Sequence, residues 1–224
     1  MDMITKSLIK QILLAFEQGS SHIQYEKLYV FKDGPNKIKQ ITLSFGITEY
    51  GNLKTLVEAY CKTNTEKSLK LKKYIDVIGK TPLADNQEFK ESLKQAGSDK
   101  VMQLCQDAAF DTMYITPAYN WCSDNGLVEP LSHLVICDSY LHSGSILRLL
   151  RNKFSEKLPK FGGNEKNWIT QYCTARRDWL KNHTNKILNP TAKRMDFALS
   201  LINNNDWNLQ ETQYVVEGVK IANK

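Results

Sequence analysis

The sequence predicts a mainly α protein with one small β-hairpin or sheet near its N-terminus. Three observations lead there. Apolar residues recur at helical spacing along most of the 224 residues. One zone, 25–48, changes to β-type residues with partial alternation around strong turn chemistry. The apolar content of 42% and charged content of 24% suit a globular chain, long enough for one large domain or two lobes sharing a core.

The opening residues MDMITKSLIKQILLAF set Ile4, Leu8 and Ile12 in one row and Ile9, Leu13 and Phe16 in a second, an amphipathic helix. Lys6 and Lys10 interrupt its apolar positions and no small-residue cleavage site follows, so it does not read as a signal peptide. The protein is expected to stay inside the cell, to leave by a route that reads no such signal, or to have lost its signal already. No apolar run reaches about 18 residues, and no membrane insertion is expected.

The zone YEKLYVFKDGPNKIKQITLSFGIT follows. Leu28 and Val30, then Ile38, Ile41, Leu43 and Phe45, carry the β signal, and Asp33-Gly34-Pro35-Asn36 turns the chain between them. The remainder is helical. Asn52–Cys61 is a short helix after Gly51. Thr63 or Thr65 caps the next one, to Ile78. A loop at Gly79–Pro82 leads to Asn86–Ala96, and Ser98 or Asp99 caps a segment through Met113. After Pro117 a helix at Asn120–Asp124 stops at Gly126. Leu131–Leu141 is apolar almost all round and belongs in the middle of a core. Past Gly144 and the loop LPKFGGNE come Trp168–Lys181 and a helix that Pro190 starts and Leu201 ends.

The five cysteines, Cys61, Cys105, Cys122, Cys137 and Cys173, are scattered without CxxC spacing and read as buried free thiols rather than a zinc site or disulfide framework. None pairs with His22, His133, His142 or His183 in a catalytic motif. The net charge of +6 points to an anionic partner such as an acidic polymer. The run KSLKLKK is a solvated helix face, and no nucleic-acid motif accompanies it, so no nucleic-acid partner is expected.

Two carboxylates stand out. Glu17 follows an apolar helix face that ends at Phe16, and desolvation there raises a carboxyl pKa, as a general acid requires. Asp33 lies beside Lys32 in a solvated turn and stays ionised. Carboxyls whose surroundings push their pKa values apart suit hydrolysis of a glycosidic bond. Thr42, on the return strand, offers a hydroxyl to hold a water for Asp33. Spacing alone favours the plainer reading of two ordinary surface acids.

The order Glu, then a hairpin bearing KDG, then ITLSFGIT resembles the lysozyme superfamily, and more closely glycoside hydrolase family 46, the chitosanases. The matching residues are Phe16-Glu17-Gln18, Gln24-Tyr25, Asp33-Gly34, Thr42, Gly46-Ile47-Thr48 and Gly51-Asn52-Leu53. Downstream they are Tyr114-Ile115-Thr116-Pro117-Ala118, Asn125-Gly126-Leu127 and Cys137-Asp138 with His142 and Gly144. The likeness spans most of residues 10–210. It implies a lysozyme-like two-lobed α+β fold with a central substrate cleft, as one catalytic domain over 1–224. The minor lobe would hold the hairpin at about 25–50 and the helices after it. The major lobe would run from about 99 onward and take in the N-terminal helix. It further implies an inverting glycoside hydrolase with Glu17 as acid, Asp33 as base and Thr42 holding the water. Tyr25, Glu49, Asn52, Asp138 and His142 would bind substrate, and Arg194 would pair with the acid, with Lys193, Arg176 and Arg177 as competitors for that place. No cofactor or metal is called for. Glu49 is open to a second reading, favouring the N-terminus of the helix at Asn52.

Departures bear on the substrate. The hairpin reads DGPNKIKQIT where the family has DGRGYT, and Asn52 replaces a substrate-binding aspartate. A basic chain suits an anionic polymer, so the first expectation is peptidoglycan, cut by a muramidase-like enzyme. Such a protein would be secreted or delivered to the periplasm or cell wall as an antibacterial effector, toxin or lysin. Its partners would be the polysaccharide and, for a toxin, an immunity protein or a component of a secretion machine. The alternatives are a true chitosanase and a non-catalytic glycan-binding module.

Overall fold

Helix α1 (Met3–Gln18) opens the chain, and Asp2 caps it, Oδ1 accepting from the Thr5 N–H at 2.8 Å. Its buried face, Leu8, Ile9, Ile12, Leu13 and Ala15, follows the apolar periodicity, although Ile4 is 59% exposed. The computed structural model describes residues 2–223. Residues His22–Asp111 form one compact unit; α1 and the residues from Thr112 onward form another.

In the His22–Asp111 unit, β1 (Leu28–Phe31) pairs antiparallel with β2 (Gln40–Leu43), in register from Leu28 opposite Leu43 to Phe31 opposite Gln40. Strand β3 (Ile47–Thr48) adds to the far side of β2. Alternation puts Ile41, Leu43 and Ile47 on the buried face and leaves Tyr29, Phe31, Gln40, Thr42 and Thr48 on the other. The expected turn holds: Pro35–Lys37 form a short 3₁₀ turn, and the Gly34 N–H donates to the Ile38 carbonyl at 3.1 Å.

Helices α2 (Leu53–Cys61), α3 (Glu66–Lys72, capped by Thr65), α4 (Gln87–Gly97, capped by Asn86) and α5 (Lys100–Phe110, capped by Asp99) complete the unit. Helix α3 ends at Lys72 rather than Ile78. Successive turns carry the chain on, and Leu71, Tyr74 and Ile78 stay buried at the same spacing a helix would give. Gly97 is required where it stands, since a Cβ there would lie 2.6 Å from the Tyr25 carbonyl oxygen. Helix α5 belongs to this unit although it begins past 99: Phe45 meets Phe110 edge-on at 5.0 Å, and the Tyr60 hydroxyl donates to Asp99 at 2.5 Å.

A π turn at Asp111–Ile115 precedes α6 (Thr116–Asn125), which ends at left-handed Gly126. Helix α7 (Pro130–Ser143) is buried from Leu131 to Ser139, the central helix that its all-round apolar surface implies, and α1, α6, α9 and α10 pack on it. The short α8 (Arg148–Arg151) leads to α9 (Glu165–Lys181). Pro190 falls inside a 3₁₀ segment, Lys186–Ala192, so α10 (Lys193–Asn203) starts three residues later than proline chemistry suggested. A hairpin not foreseen, β4 (Gln213–Val216) with β5 (Val219–Ala222), packs on α1. Cys61, Cys122, Cys137 and Cys173 are buried free thiols and Cys105 is half-buried. Among the described residues no helix is long and apolar enough to cross a membrane.

Candidate active site

Helices α1, α7, α9 and α10 bring four acidic and basic side chains into one network. Glu17, in the last turn of α1, accepts at Oε2 from Arg194 Nη2 of α10 at 2.8 Å. Arg194 Nη1 donates to Asp138 Oδ1 of α7 at 2.6 Å, and Asp138 Oδ2 accepts from Arg176 Nη1 of α9, also at 2.6 Å. Arg176 is fully buried and Arg194 is 5% exposed. The Arg194 guanidinium lies 5.3 Å from the centre of the Phe16 ring, which packs edge-on against Phe197.

Burial raises the Glu17 pKa above the ordinary carboxyl value; the charge of Arg194 opposes this and that of Asp138 adds to it. Burial also pushes Asp138 up, but Arg194 and Arg176 outweigh it and hold Asp138 at about 2. His142, at the end of α7, accepts at Nδ1 from Arg176 Nη2 at 3.3 Å. Burial first, then the charge of Arg194, lowers its pKa to about 4, so it is neutral at pH 7. Tyr114, in the π turn, is pushed up to about 12 by burial and by the charge of Glu17. Irregular helical turns of this kind recur at functional sites.

The His22–Asp111 unit holds a second set. Asp33 is exposed at the hairpin turn, and Gln40 Nε2 donates to its Oδ1 at 3.0 Å. Gln40 is buried, so the contact ties the turn to the sheet. Thr42 stands next along the same face of β2, and its buried Oγ1 has no hydrogen-bond partner among the described residues. Asn52 is exposed at the head of α2, and its side chain does not cap the helix.

Two expectations about substrate contact change, those for Glu49 and Asp138. Glu49 is 1% exposed, and its carboxylate accepts from the backbone N–H groups of Ile41 at 3.0 Å and Leu83 at 2.6 Å. It neither meets a sugar nor serves α2; it pins the sheet to the loop before α4. Asp138 is enclosed by two guanidiniums and positions Arg194 rather than touching substrate. Tyr25 donates its hydroxyl to Asp107, 3.1 and 3.2 Å from the two carboxylate oxygens, and so braces α5. Arg194, not Lys193, Arg176 or Arg177, is the partner of Glu17.

Gln40 carries no functional signal in the sequence, and Arg176 enters there only as a competitor of Arg194. Arg176 carried a signal: it occupies the buried row Trp168, Ile169, Tyr172, Leu180, and a cation in such a row demands a buried anion. A groove of about 900 Å³, lined by Phe154, Thr170, Thr174 and Trp179 among others, contains none of these site residues.

The sequence pattern of glycosyl hydrolase family 46 matches residues 11–212. The chain belongs to glycosyl hydrolase family 46. It is 26% identical to a chitosanase of Bacillus subtilis (strain 168), over 91% of this chain and 79% of that one. The native chitosanase of Bacillus subtilis MY002 shares its fold with a TM-score of 0.80, 24% identity and 99% of each chain covered. A mutant of that chitosanase, complexed with 6 GlcN, gives 0.82 over 100% of each chain at 24% identity. The Gynuella sunshinyii family 46 chitosanase, in complex with chitotetraose, gives 0.82 at 18% identity, over 99% of this chain and 98% of that one. The protein is therefore a family 46 glycoside hydrolase with the lysozyme-like, mainly α fold.

Proposed function

We propose that the protein is an endo-acting chitosanase that cleaves β-1,4 bonds of chitosan with inversion. The observation that carries the substrate is the agreement of the relatives. The curated relative is a chitosanase, and solved structures of the same fold are chitosanases, two of them complexed with 6 GlcN or chitotetraose. This reverses the order expected from net charge. The +6 is a property of the whole surface and does not report the charge where the polymer lies. The muramidase, effector, immunity-protein and secretion-machine expectations find no support among the relatives and are not carried forward.

In this reading Glu17 is the general acid. Burial raises its pKa above the ordinary carboxyl value, the direction that a general acid requires. Because Arg194 donates to Oε2, the proton sits on Oε1, from which it passes to the glycosidic oxygen. As the bond breaks, Arg194 stabilises the carboxylate left behind. Asp33 is the general base, held through Gln40, and takes a proton from the attacking water. Thr42 Oγ1, with no protein partner among the described residues, orients that water. Attack on the face opposite the leaving group inverts the anomeric centre.

Digestion of chitosan and of purified peptidoglycan in parallel, with products identified by mass, tests the substrate. Release of sugars from chitosan alone is expected; release from peptidoglycan alone overturns the proposal. Glu17→Gln should abolish the activity and leave the far-UV circular dichroism spectrum unchanged, and an active variant would sink the assignment of the acid.

A further inference from the structure

The groove of about 900 Å³ belongs to the unit formed by α1 and the residues from Thr112 onward. It is lined by one face of α9, from Thr170 to the C-cap Asn182, and by residues 153–155. Thr174 and Asp178 stand two residues either side of Arg176, about 200° round the helix. The groove therefore opens on the side of α9 opposite the contact of Arg176 with Asp138. Thr170 to Asn182 covers about 18 Å along the axis, so the groove is an elongated trough. Phe154 lines the end near Gln171, its ring edge-on to Trp168 at 5.6 Å and to Tyr172 at 6.5 Å. Trp179 lines the other end and is half-buried.

The two amides on this face keep capacity for a ligand. Gln171 Oε1 accepts from the Glu156 N–H at 3.1 Å, and its own N–H groups donate to nothing among the described residues. Asn182 Nδ2 donates to the Asp178 carbonyl at 2.9 Å, and its Oδ1 accepts from nothing among them. An acetamido group carries one N–H donor and one C=O acceptor, which such amides complement. A β-1,4-linked pyranose carries its substituents equatorially, so each ring face presents C–H groups and can lie flat on an aromatic ring. Ligand sites combine apolar walls of this kind with a few placed polar groups, and the groove has the volume of such a site. Charge then selects the sugar. The lining carries one cation, Lys153, and one anion, Asp178, whose Oδ1 already accepts from Arg177 Nε at 3.1 Å. Arg151 adds a further cation, 4.9 Å from the centre of the Phe154 ring. A glucosamine unit would bring its C2 ammonium to this surplus of positive charge. An N-acetylated unit is neutral and meets no such repulsion.

We propose that this groove is a second sugar site, which holds a run of N-acetylglucosamine units of the polymer on the face of α9 away from Arg176. It performs no chemistry. It tethers acetylated stretches of chitosan and so raises the local concentration of the rest of the same chain at Glu17. The gain is confined to polymers long enough to reach both places. This rests on the hydrolase reading for the consequence but not for the binding itself.

The test follows the side-chain N–H signals of Gln171, Trp179 and Asn182 by heteronuclear NMR as a hexamer of N-acetylglucosamine is added to the Glu17→Gln chain. The signals should shift and saturate, and a hexamer of glucosamine should bind there at least about tenfold more weakly. Trp179→Ala should weaken the acetylated hexamer about tenfold, the size of one good aromatic contact, read on the Gln171 and Asn182 signals. Thr174→Lys, which keeps Trp179 and fills the groove with a long charged side chain, should do the same. With Glu17 intact, either substitution should lower kcat/KM on long, partly acetylated chitosan severalfold and leave cleavage of the glucosamine hexamer as before. Shifts with neither hexamer, glucosamine bound as tightly, binding that neither substitution weakens, or a polymer rate that neither changes overturns the site. Saturable groove binding by a native chain that cleaves no chitosan would refute the hydrolase reading and leave the site standing. Cleavage of chitosan without groove binding would do the reverse.

Discussion

At the scale of single residues, burial raises the pKa of Glu17, and a neighbour it does not touch adds to the rise. Asp138 shares Arg194 with Glu17, and its negative charge helps keep the Glu17 pKa high. Removing that charge lowers the pKa of the acid, so Asp138→Asn should move the alkaline limb of the kcat/KM profile to lower pH. An unmoved limb would show that Asp138 has no hold on the acid. The same variant leaves two buried guanidiniums short of a partner, and unfolding should become easier by about 3 kcal/mol. The sign with pH follows: the folded pKa of Asp138, about 2, lies below its ordinary 3.8. Its contribution is complete above 3.8 and is lost as pH falls toward 2. Asp33→Asn should lower turnover by a factor on the order of 10², as loss of a general base does, and a drop of only about threefold would count against its role.

At the scale of elements, the hairpin depends on a buried acid. Glu49 accepts from two backbone N–H groups, Ile41 in the sheet and Leu83 in the loop before α4. Glu49→Ala should cost about 3 kcal/mol, because both donors are then buried unpaired. Urea unfolding measures this, and a loss below about 1 kcal/mol would mean water replaces the carboxylate. The same residue shows what sequence can and cannot tell. Order and turn chemistry located the hairpin and made Glu17, Asp33 and Thr42 its candidates. They did not tell a buried acid from a cleft acid, because that difference lies in the Leu83 N–H, 34 positions away. The pairing of Asp138 with Arg176 spans 38 positions and was hidden for the same reason. The C-terminal hairpin was legible but passed over. Tyr214, Val216 and Ile221 are buried in alternation, and Glu217-Gly218, at φ 51° and 79°, is turn chemistry of the two-residue kind. Helix α8, with only four residues, lacks the length that periodicity needs.

At the scale of the whole molecule, the net charge was the least informative signal. The sum of +6 pointed toward an anionic wall polymer, whereas the relatives described above are chitosanases. Charge governs association and its salt dependence, while the bond that is cut depends on where an acid and a base stand. The direct measurement is proton NMR of the anomeric signals during the first turnovers of a glucosamine hexamer, with the native chain and with Glu17→Gln. The account predicts that the native chain releases the α-anomer first, which then mutarotates, and that the variant releases nothing. Initial release of the β-anomer, or product from the variant, would contradict it.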